Sequence, residues 1–126
     1  MALHTLLVED NKLIRDNLIP TLESLSAARV RGVAETEAAA MAMIEAHDGR
    51  WDVAVVDLFL RAGSGLSVVE RCRSRGGHQF VVIFSNYATP EMRQQALQVG
   101  ADAVFDKSTE IDGLLDFLER LSTARH

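Results

Sequence analysis

The sequence is poor in cysteine and in long apolar runs, and each shortage excludes a class of protein. Cys72 is the single cysteine among 126 residues, so no disulfide can form within the chain and a disulfide-stapled scaffold is excluded. No apolar run approaches the roughly 18 residues that a membrane-spanning helix needs. The N-terminal MALHTLLVED lacks the basic start and long apolar core of a signal peptide. We therefore expect a cytoplasmic protein with no membrane segment.

Basic residues are also fewer than acidic residues. The 13 Lys and Arg face 18 Asp and Glu, which gives a net charge of −5. A surface of that sign argues against direct binding of nucleic acid by this domain. What remains is an ordinary globular composition, 48% hydrophobic and 25% charged, in a chain long enough to bury one core. We expect a single domain over residues 1–126.

Short apolar stretches alternate with amphipathic ones along the whole chain. The apolar stretches predict strands over 3–8, 28–34, 53–56, 79–84 and 101–105. The amphipathic stretches predict helices over 12–26, 36–47, 66–74, 90–99 and 111–121. Strands that alternate with helices indicate an α/β fold, a parallel sheet covered by helices on both faces. Right-handed crossovers in so short a chain favour the flavodoxin-like (βα)5 arrangement, with strand order 2-1-3-4-5.

Local signals mark several helix ends. Thr36 is a candidate N-cap for the second helix. Pro90 suits the first turn of the fourth helix, and Gly100 ends that helix. Pro20 falls inside the first helical pattern, where proline kinks a helix or shifts its start.

Four of the five predicted strands end in residues that can do chemistry. In chain order these are Glu9-Asp10, Asp57, Ser85-Asn86 and Asp106-Lys107. Taken singly, each is explained about as well by a turn or a helix cap. A parallel sheet nevertheless brings all four strand ends to one edge, where ligands bind near the point at which strand order reverses. For order 2-1-3-4-5 that point lies between the first and third strands.

This cluster of side chains predicts phosphoryl chemistry. Carboxylates gathered at one edge repel each other and need a counter-charge, and Mg²⁺ takes carboxylates, waters and phosphate oxygens as ligands. The Lys107 ammonium and the Ser85 hydroxyl suit phosphate oxygens. The Asp57 carboxylate loses hydration at the end of an apolar strand, which is unfavourable unless the group is needed there. We interpret Asp57 as a nucleophile that attacks phosphorus.

The chain resembles the receiver domains of two-component response regulators. The matching segments, in order and at the right spacing, are VED (8–10), VVDLFL (55–60) with Gly65 eight residues after Asp57, VIFSN (82–86) and GADAVFDKS (100–108). The resemblance implies a phosphorelay module in which Asp57 takes a phosphoryl group from a sensor histidine kinase or phosphotransfer protein. It also implies self-catalysed phosphorylation and autodephosphorylation, not an enzyme that acts on external substrates.

The resemblance further implies roles for the other site residues. Asp10 and Asp57 would ligate Mg²⁺, Glu9 would act mainly through a metal-bound water, and the backbone carbonyl of Phe59 would complete the protein ligands. Lys107 would pair with the phosphoryl group.

The same resemblance implies the switch and the output. Ser85 would turn its hydroxyl toward the phosphate and pull the following loop with it. Partner contact would use the face formed by the fourth helix, the fifth strand and the fifth helix. The output, whether by a stand-alone regulator or by a further domain in a longer protein, stays open, as does a homodimer.

Two positions depart from the family pattern. Val104 stands where the family usually has Tyr or Phe, and a valine cannot signal by ring rotation. Signalling then relies on loop and helix movement alone, or another aromatic such as Tyr87 takes part.

Arg61 stands where many members have proline. It either holds the loop by a charge interaction or is solvated, and we favour the solvated interpretation. If Phe59 and Tyr87 flank the phosphoryl group, we expect them to slow its hydrolysis.

Three other functions compete with this interpretation. A phosphatase of the haloacid dehalogenase type usually wants an acid two residues after the nucleophile, and here that residue is Phe59. A binding module that uses the fold without phosphorylation is disfavoured because all five site residues keep their chemistry. A nucleotide-binding fold is weaker again, since no G-x-G-x-x-G follows the first strand.

Overall fold

The computed structural model describes residues 2–124, so Met1, Arg125 and His126 of the predicted 1–126 domain lie outside the described part. Strands and helices alternate strictly along the chain. The strands are β1 (Leu3–Val8), β2 (Ala28–Ala34), β3 (Val53–Val56), β4 (Phe80–Ser85) and β5 (Ala103–Asp106). The helices are α1 (Lys12–Leu25), α2 (Glu37–Ala46), α3 (Gly65–Arg71), α4 (Pro90–Gln98) and α5 (Ile111–Ala124).

The five strands form one parallel sheet in the order β2-β1-β3-β4-β5, which confirms the predicted topology. Strand order reverses between β1 and β3. Their register pairs Val8 with Val56, the last residue of each strand. The loops after these two strands therefore begin side by side, and the Asp57 amide donates to the Val8 carbonyl at 2.9 Å.

Side chains of the sheet alternate between two hydrophobic layers. Ala54 and Val56 face the layer shared by α2, α3 and α4, whereas Val53 and Val55 face the layer shared by α1 and α5. The helix residues buried in the first layer are Ala40, Val68, Val69 and Ala96, and those in the second are Leu18, Leu22, Leu114, Leu118 and Leu121. Two covered faces explain why the central strands are apolar at every position.

Capping interactions determine the helix ends. The Thr36 hydroxyl accepts from the Ala39 amide at 3.0 Å, as predicted. Gly100, at φ +114°, ends α4 as predicted. The amide of the next residue donates a hydrogen bond to the Ala96 carbonyl at 2.9 Å. That amide belongs to Ala101, which is therefore part of the helix end, and β5 begins at 103 and not at the predicted 101. Pro20 lies within α1, whose start at Lys12 is not shifted.

Two residues near the apolar layers have structural roles. Trp51, just before β3, is 2% exposed and packs in the layer of α2, α3 and α4. Cys72 at the end of α3 packs in the same layer, and burial raises the pKa of its thiol, so it is an apolar core residue. None of the helices in residues 2–124 combines the length and the apolarity that crossing a bilayer requires.

Candidate functional site

Three carboxylates meet where strand order reverses. Glu9 and Asp10 directly follow β1, and Asp57 directly follows β3, so the register of these strands places them together. Each offers one oxygen, and these oxygens lie within 4.8 Å of one another. The predicted convergence of Glu9, Asp10 and Asp57 is therefore present.

Lys107 bridges two of these acids. Its Nζ lies 3.0 Å from Asp57 Oδ2 and contacts Glu9 Oε1 even more closely. The Lys107 amide donates to the Ser85 carbonyl at 3.1 Å, which fixes the start of the loop after β5. Burial raises the pKa of Glu9, and the hydrogen bond from Lys107 opposes that rise. The ammonium group thus supplies the counter-charge that the acids require.

Ser85 lies at the end of β4 and is fully buried. Its Oγ accepts from the Tyr87 amide at 3.2 Å, so the hydroxyl is engaged with the loop that follows it. The next side chain, Asn86, accepts from the Ser108 hydroxyl at 3.1 Å. The loops after β4 and β5 are consequently joined both through backbone and through side chains.

The loop after β3 folds back on Asp57 because a glycine permits it. The Gly65 amide donates to the Leu58 carbonyl at 2.8 Å, and an isolated bridge joins Phe59 to Ser64. A Cβ added at Gly65 would lie 1.9 Å from the Asp57 carbonyl oxygen, far inside contact distance. Only glycine therefore allows the start of α3 to approach the backbone of Asp57 this closely.

Two aromatic rings stand beside the site. Phe59 follows β3 by three residues and Tyr87 follows β4 by two; their ring centroids are 4.5 Å apart in an edge-to-face arrangement. Both side chains are more than half exposed. The rings therefore pack mainly against each other, at the ends of the strands that carry Asp57 and Ser85.

The Arg93 side chain of α4 contacts the backbone of Val104, the position where the family usually has an aromatic residue. The Arg93 guanidinium donates to the carbonyls of Ala88, at 2.8 Å, and Val104, at 3.2 Å. It also pairs with the Glu110 carboxylate, which in turn accepts from the Asp106 amide at 2.9 Å. A single side chain of α4 thus links the loop after β4, strand β5 and the loop after β5.

The charged groups around the acids were not predicted from the sequence. Glu35, which directly follows β2, pairs with both Arg15 and Arg61 at 2.8 Å. The favoured interpretation of Arg61 as merely solvated is wrong, because it makes this ion pair while remaining 65% exposed. Glu35 also follows a strand, and the rule that located the acids would have included it.

The acid cluster fits a hard divalent cation. Glu9, Asp10 and Asp57 present only oxygen ligands, and Mg²⁺ prefers oxygen donors with one or two carboxylates. Three close carboxylates with one ammonium also leave a net negative charge for a cation to balance.

Comparisons with known proteins agree with this geometry. The sequence profile of the response regulator receiver domain matches residues 5–119. The Uncharacterized transcriptional regulatory protein YvfU of Bacillus subtilis (strain 168) is 32% identical over 69 residues, which cover 55% of this chain and 34% of that protein. The match thus spans about a third of the length of this curated relative.

Solved structures extend the agreement to the whole fold. The signal receiver domain of the putative response regulator NarL from Mycobacterium tuberculosis is 27% identical, with a TM-score of 0.78 over 93% of this chain and 96% of that one. The BeF3-activated N-terminal receiver domain of RstA from Klebsiella pneumoniae shares the fold, with a TM-score of 0.80 at 19% identity over 91% and 94% of the chains.

The profile covers most of the chain. The strand order and the cluster of acids at the switch point of the sheet agree with a receiver domain. This protein belongs to the receiver domains of two-component response regulators, the phosphoacceptor modules of phosphorelay signal transduction.

Proposed function

We propose that Asp57 is the residue that takes the phosphoryl group in this chain. The observation that carries the proposal is the ammonium of Lys107, which lies between Asp57 and Glu9 at the switch point of the sheet. An aspartate at this place can attack phosphorus while a cation already stands beside the oxygens that gain charge.

The transfer balances with the groups present. A carboxylate oxygen of Asp57 attacks the phosphorus of a phosphohistidine on the kinase or phosphotransfer protein, and a P–O bond forms as the P–N bond breaks. The electron pair stays on the imidazole nitrogen, which takes up a proton. Lys107 offsets negative charge on the phosphoryl oxygens, and hydrolysis of the acyl phosphate later returns the free carboxylate of Asp57.

Glu9, Asp10 and Asp57, together with the backbone carbonyl of Phe59, would hold Mg²⁺. When bound, the ion supplies positive charge that offsets the acids and orients the phosphoryl oxygens. Asp10 and Asp57 start adjacent loops, and each offers an oxygen within 4.8 Å of the other, so the two carboxylates would hold one ion together.

Ser85 would transmit the event to the partner face. Its hydroxyl accepts from the Tyr87 amide, so turning that hydroxyl toward a phosphoryl group breaks this bond and frees the loop. Arg93 holds the Ala88 carbonyl of the same loop as well as Val104 of β5, so the movement reaches α4, β5 and α5. Signalling by this route does not need an aromatic ring that rotates at position 104.

The partners follow from this assignment. A histidine kinase or phosphotransfer protein would supply the phosphoryl group in the cytoplasm. An effector protein, an output domain or a second copy would contact the face of α4, β5 and α5, where Leu97 is exposed. The curated relative is named as a transcriptional regulatory protein, which favours control of transcription as the output.

Intact mass spectrometry tests the proposal. The purified protein is incubated with Mg²⁺ and acetyl phosphate beside an Asp57→Asn variant. We expect the gain of one phosphoryl group, and no gain in the variant or without Mg²⁺. If no gain appears, a beryllofluoride titration follows; absence of binding would overturn the proposal in favour of a phosphorylation-independent module. Catalytic turnover of a generic phosphate ester would instead favour a phosphatase.

A further inference from the structure

We infer that Glu35 is a positioning residue of the Mg²⁺ site, which sets the separation of the two loops that carry the ligands. The inference rests on the proposed function, since it concerns the ion that Glu9, Asp10 and Asp57 would hold. Glu35 itself is not one of the clustered acids. Its role follows from two arginines that it holds, one on each side.

Arg15 connects Glu35 to the loop after β1. It lies in the first turn of α1, where its Nη1 donates to the Glu9 carbonyl at 2.8 Å and forms an ion pair with Glu35 Oε2, also at 2.8 Å. The Arg15 side chain is only 14% exposed. A mostly buried guanidinium with two partners has little freedom, so it holds the backbone between Glu9 and Asp10.

Arg61 connects Glu35 to the loop after β3. Its Nη2 lies 2.8 Å from Glu35 Oε1, the oxygen that Arg15 leaves free, and its amide lies 3.3 Å from the Glu35 carbonyl. Arg61 follows Phe59 by two residues and Asp57 by four. The loop after β3 is therefore held close to Asp57 and Phe59, the two predicted Mg²⁺ ligands that it carries.

Backbone hydrogen bonds place the Glu35 turn between these two loops. The Glu9 amide donates to the Ala34 carbonyl at 2.9 Å, and the Glu37 amide donates to the Ala62 carbonyl at 3.0 Å. The turn after β2 is thus joined to both ligand loops, and the Glu35 carboxylate closes the connection through side chains.

This arrangement matters because Mg²⁺ demands near-octahedral geometry and short ligand distances. Groups that orient metal ligands without touching the metal typically change metal affinity by about 10–100-fold. Loss of the Glu35 carboxylate would leave Arg15 with only the Glu9 carbonyl and would remove the ion pair of Arg61, so the side-chain connection between the two loops would be lost. The expected result is weaker binding of Mg²⁺ with unchanged chemistry at Asp57 once the ion is bound.

The test compares Mg²⁺ affinities by titration calorimetry in wild type, Glu35→Gln and Glu45→Gln. Glu45 is an exposed carboxylate on α2, so its variant has the same change of net charge. We expect the Mg²⁺ dissociation constant to rise about tenfold in Glu35→Gln and to stay unchanged in Glu45→Gln. The phosphorylation plateau with acetyl phosphate at saturating Mg²⁺ should equal that of the wild type.

An Arg61→Gln variant separates positioning from charge, and because the Arg61 side chain is 65% exposed, its replacement leaves the hydrophobic layers unchanged. If Arg61 acted only through its charge, removing it would tighten binding of a cation. Positioning through Glu35 predicts the opposite, a weaker affinity. Unchanged affinity in Glu35→Gln, or tighter binding in Arg61→Gln, would overturn the inference. Absence of Mg²⁺ binding by the wild type would instead overturn the proposed function.

Discussion

The ammonium group of Lys107 lies 3.0 Å from the Asp57 carboxylate although 50 positions separate the two residues in the chain. The contact exists because β5 lies two strands away from β3, with β4 between them, and both strands end at the same edge. It is also nearly dry, since the two side chains are 9% and 12% exposed. Removal of either partner would therefore leave a buried charge uncompensated, so the contact affects folding as well as the proposed phosphoryl transfer.

Replacement of Lys107 by alanine should destabilise the protein strongly in Mg²⁺-free buffer. Removing one partner of a buried ion pair typically costs about 3 kcal/mol or more, and here it would leave Glu9 and Asp57 without their shared cation. Added Mg²⁺ should recover part of this loss. Urea denaturation with and without Mg²⁺ measures both effects.

The matched control is Lys12→Ala. Lys12 also pairs with an aspartate, Asp16 at 2.7 Å, but its side chain is 78% exposed. Exposed pairs contribute about 1 kcal/mol or less, so this variant should unfold almost as the wild type does. Equal losses in the two variants would contradict the role given to Lys107.

Glu37 should make stability depend on pH in the acid range. Hydrogen bonds from the Ser67 hydroxyl and the Ser64 amide hold the pKa of Glu37 below its ordinary value of 4.5. A lowered folded-state pKa gives stability that is present above pH 4.5 and is lost as the pH falls through the folded-state value. Glu37→Gln should therefore unfold more easily than the wild type near neutral pH, with a difference that shrinks in acid.

Denaturation of wild type and Glu37→Gln over a series of pH values tests this dependence. The exposed Glu45 on the same helix provides the control, Glu45→Gln, for which we expect no comparable narrowing. A difference between wild type and Glu37→Gln that stays constant across the acid range would contradict the prediction.

Phe59 and Tyr87 should lengthen the life of the phosphoaspartate. The centroids of their rings lie 4.5 Å apart, on the loops that follow Asp57 and Ser85. If the two rings flank the phosphoryl group, they would restrict the approach of an attacking water. Replacing both by small polar residues should raise the dephosphorylation rate about tenfold, which corresponds to about 1.4 kcal/mol in the barrier. The decay of purified phosphoprotein gives the rate. Leu25→Asn, an exposed apolar residue at the far end of α1, is the control, and an unchanged rate in the double variant would refute the idea.

Arg93 should control the ionisation of Glu110. The hydrogen bond from Arg93 is the main reason that the pKa of Glu110 lies below 4.5. Arg93→Met should raise that pKa toward its ordinary value, as followed by NMR titration of the side-chain carboxyl. Arg120→Met, on the exposed surface of α5, should leave Glu110 unchanged. A Glu110 pKa that does not move in Arg93→Met would show that this link contributes little.

Gly65→Ala should damage both folding and phosphorylation. Its Cβ would meet the backbone of Asp57 at 1.9 Å, and backbone cannot yield as a side chain can. We expect a loss of about 1–3 kcal/mol or more in the free energy of unfolding, with less phosphoprotein formed. Gly77→Ala, whose Cβ would meet nothing within 4 Å, should be tolerated. Equal behaviour of the two variants would argue against a tight contact at Asp57.

The sequence predicted the sheet order and the convergence of Glu9, Asp10, Asp57 and Lys107 because both follow from one rule, that parallel strands end at the same edge. The predicted start of β5 was wrong by two residues, and the amide of the first of these, Ala101, donates to the Ala96 carbonyl at the end of α4 and not to β4. Such a bond depends on where the preceding helix ends, which hydrophobic patterning does not specify.

Partners of charged side chains were harder to predict than positions of acids. From the sequence, Arg15 resembles an ordinary exposed residue of a helix. In the structure its side chain is mostly buried against Glu9 and Glu35. Arg61 is exposed, and the same exposure agrees with a solvated residue and with an ion pair. Which carboxylate an arginine selects depends on the approach of three separate loops, and this appears only in the folded chain.

Trp51 lies before β3, at the edge of the sheet opposite Asp57, and it is the one tryptophan in the sequence. Its fluorescence emission should therefore change when the core unfolds, and should change little when Mg²⁺ or a phosphoryl group binds at Asp57. We therefore expect that unfolding curves recorded by its fluorescence can be compared directly between the free, Mg²⁺-bound and phosphorylated protein.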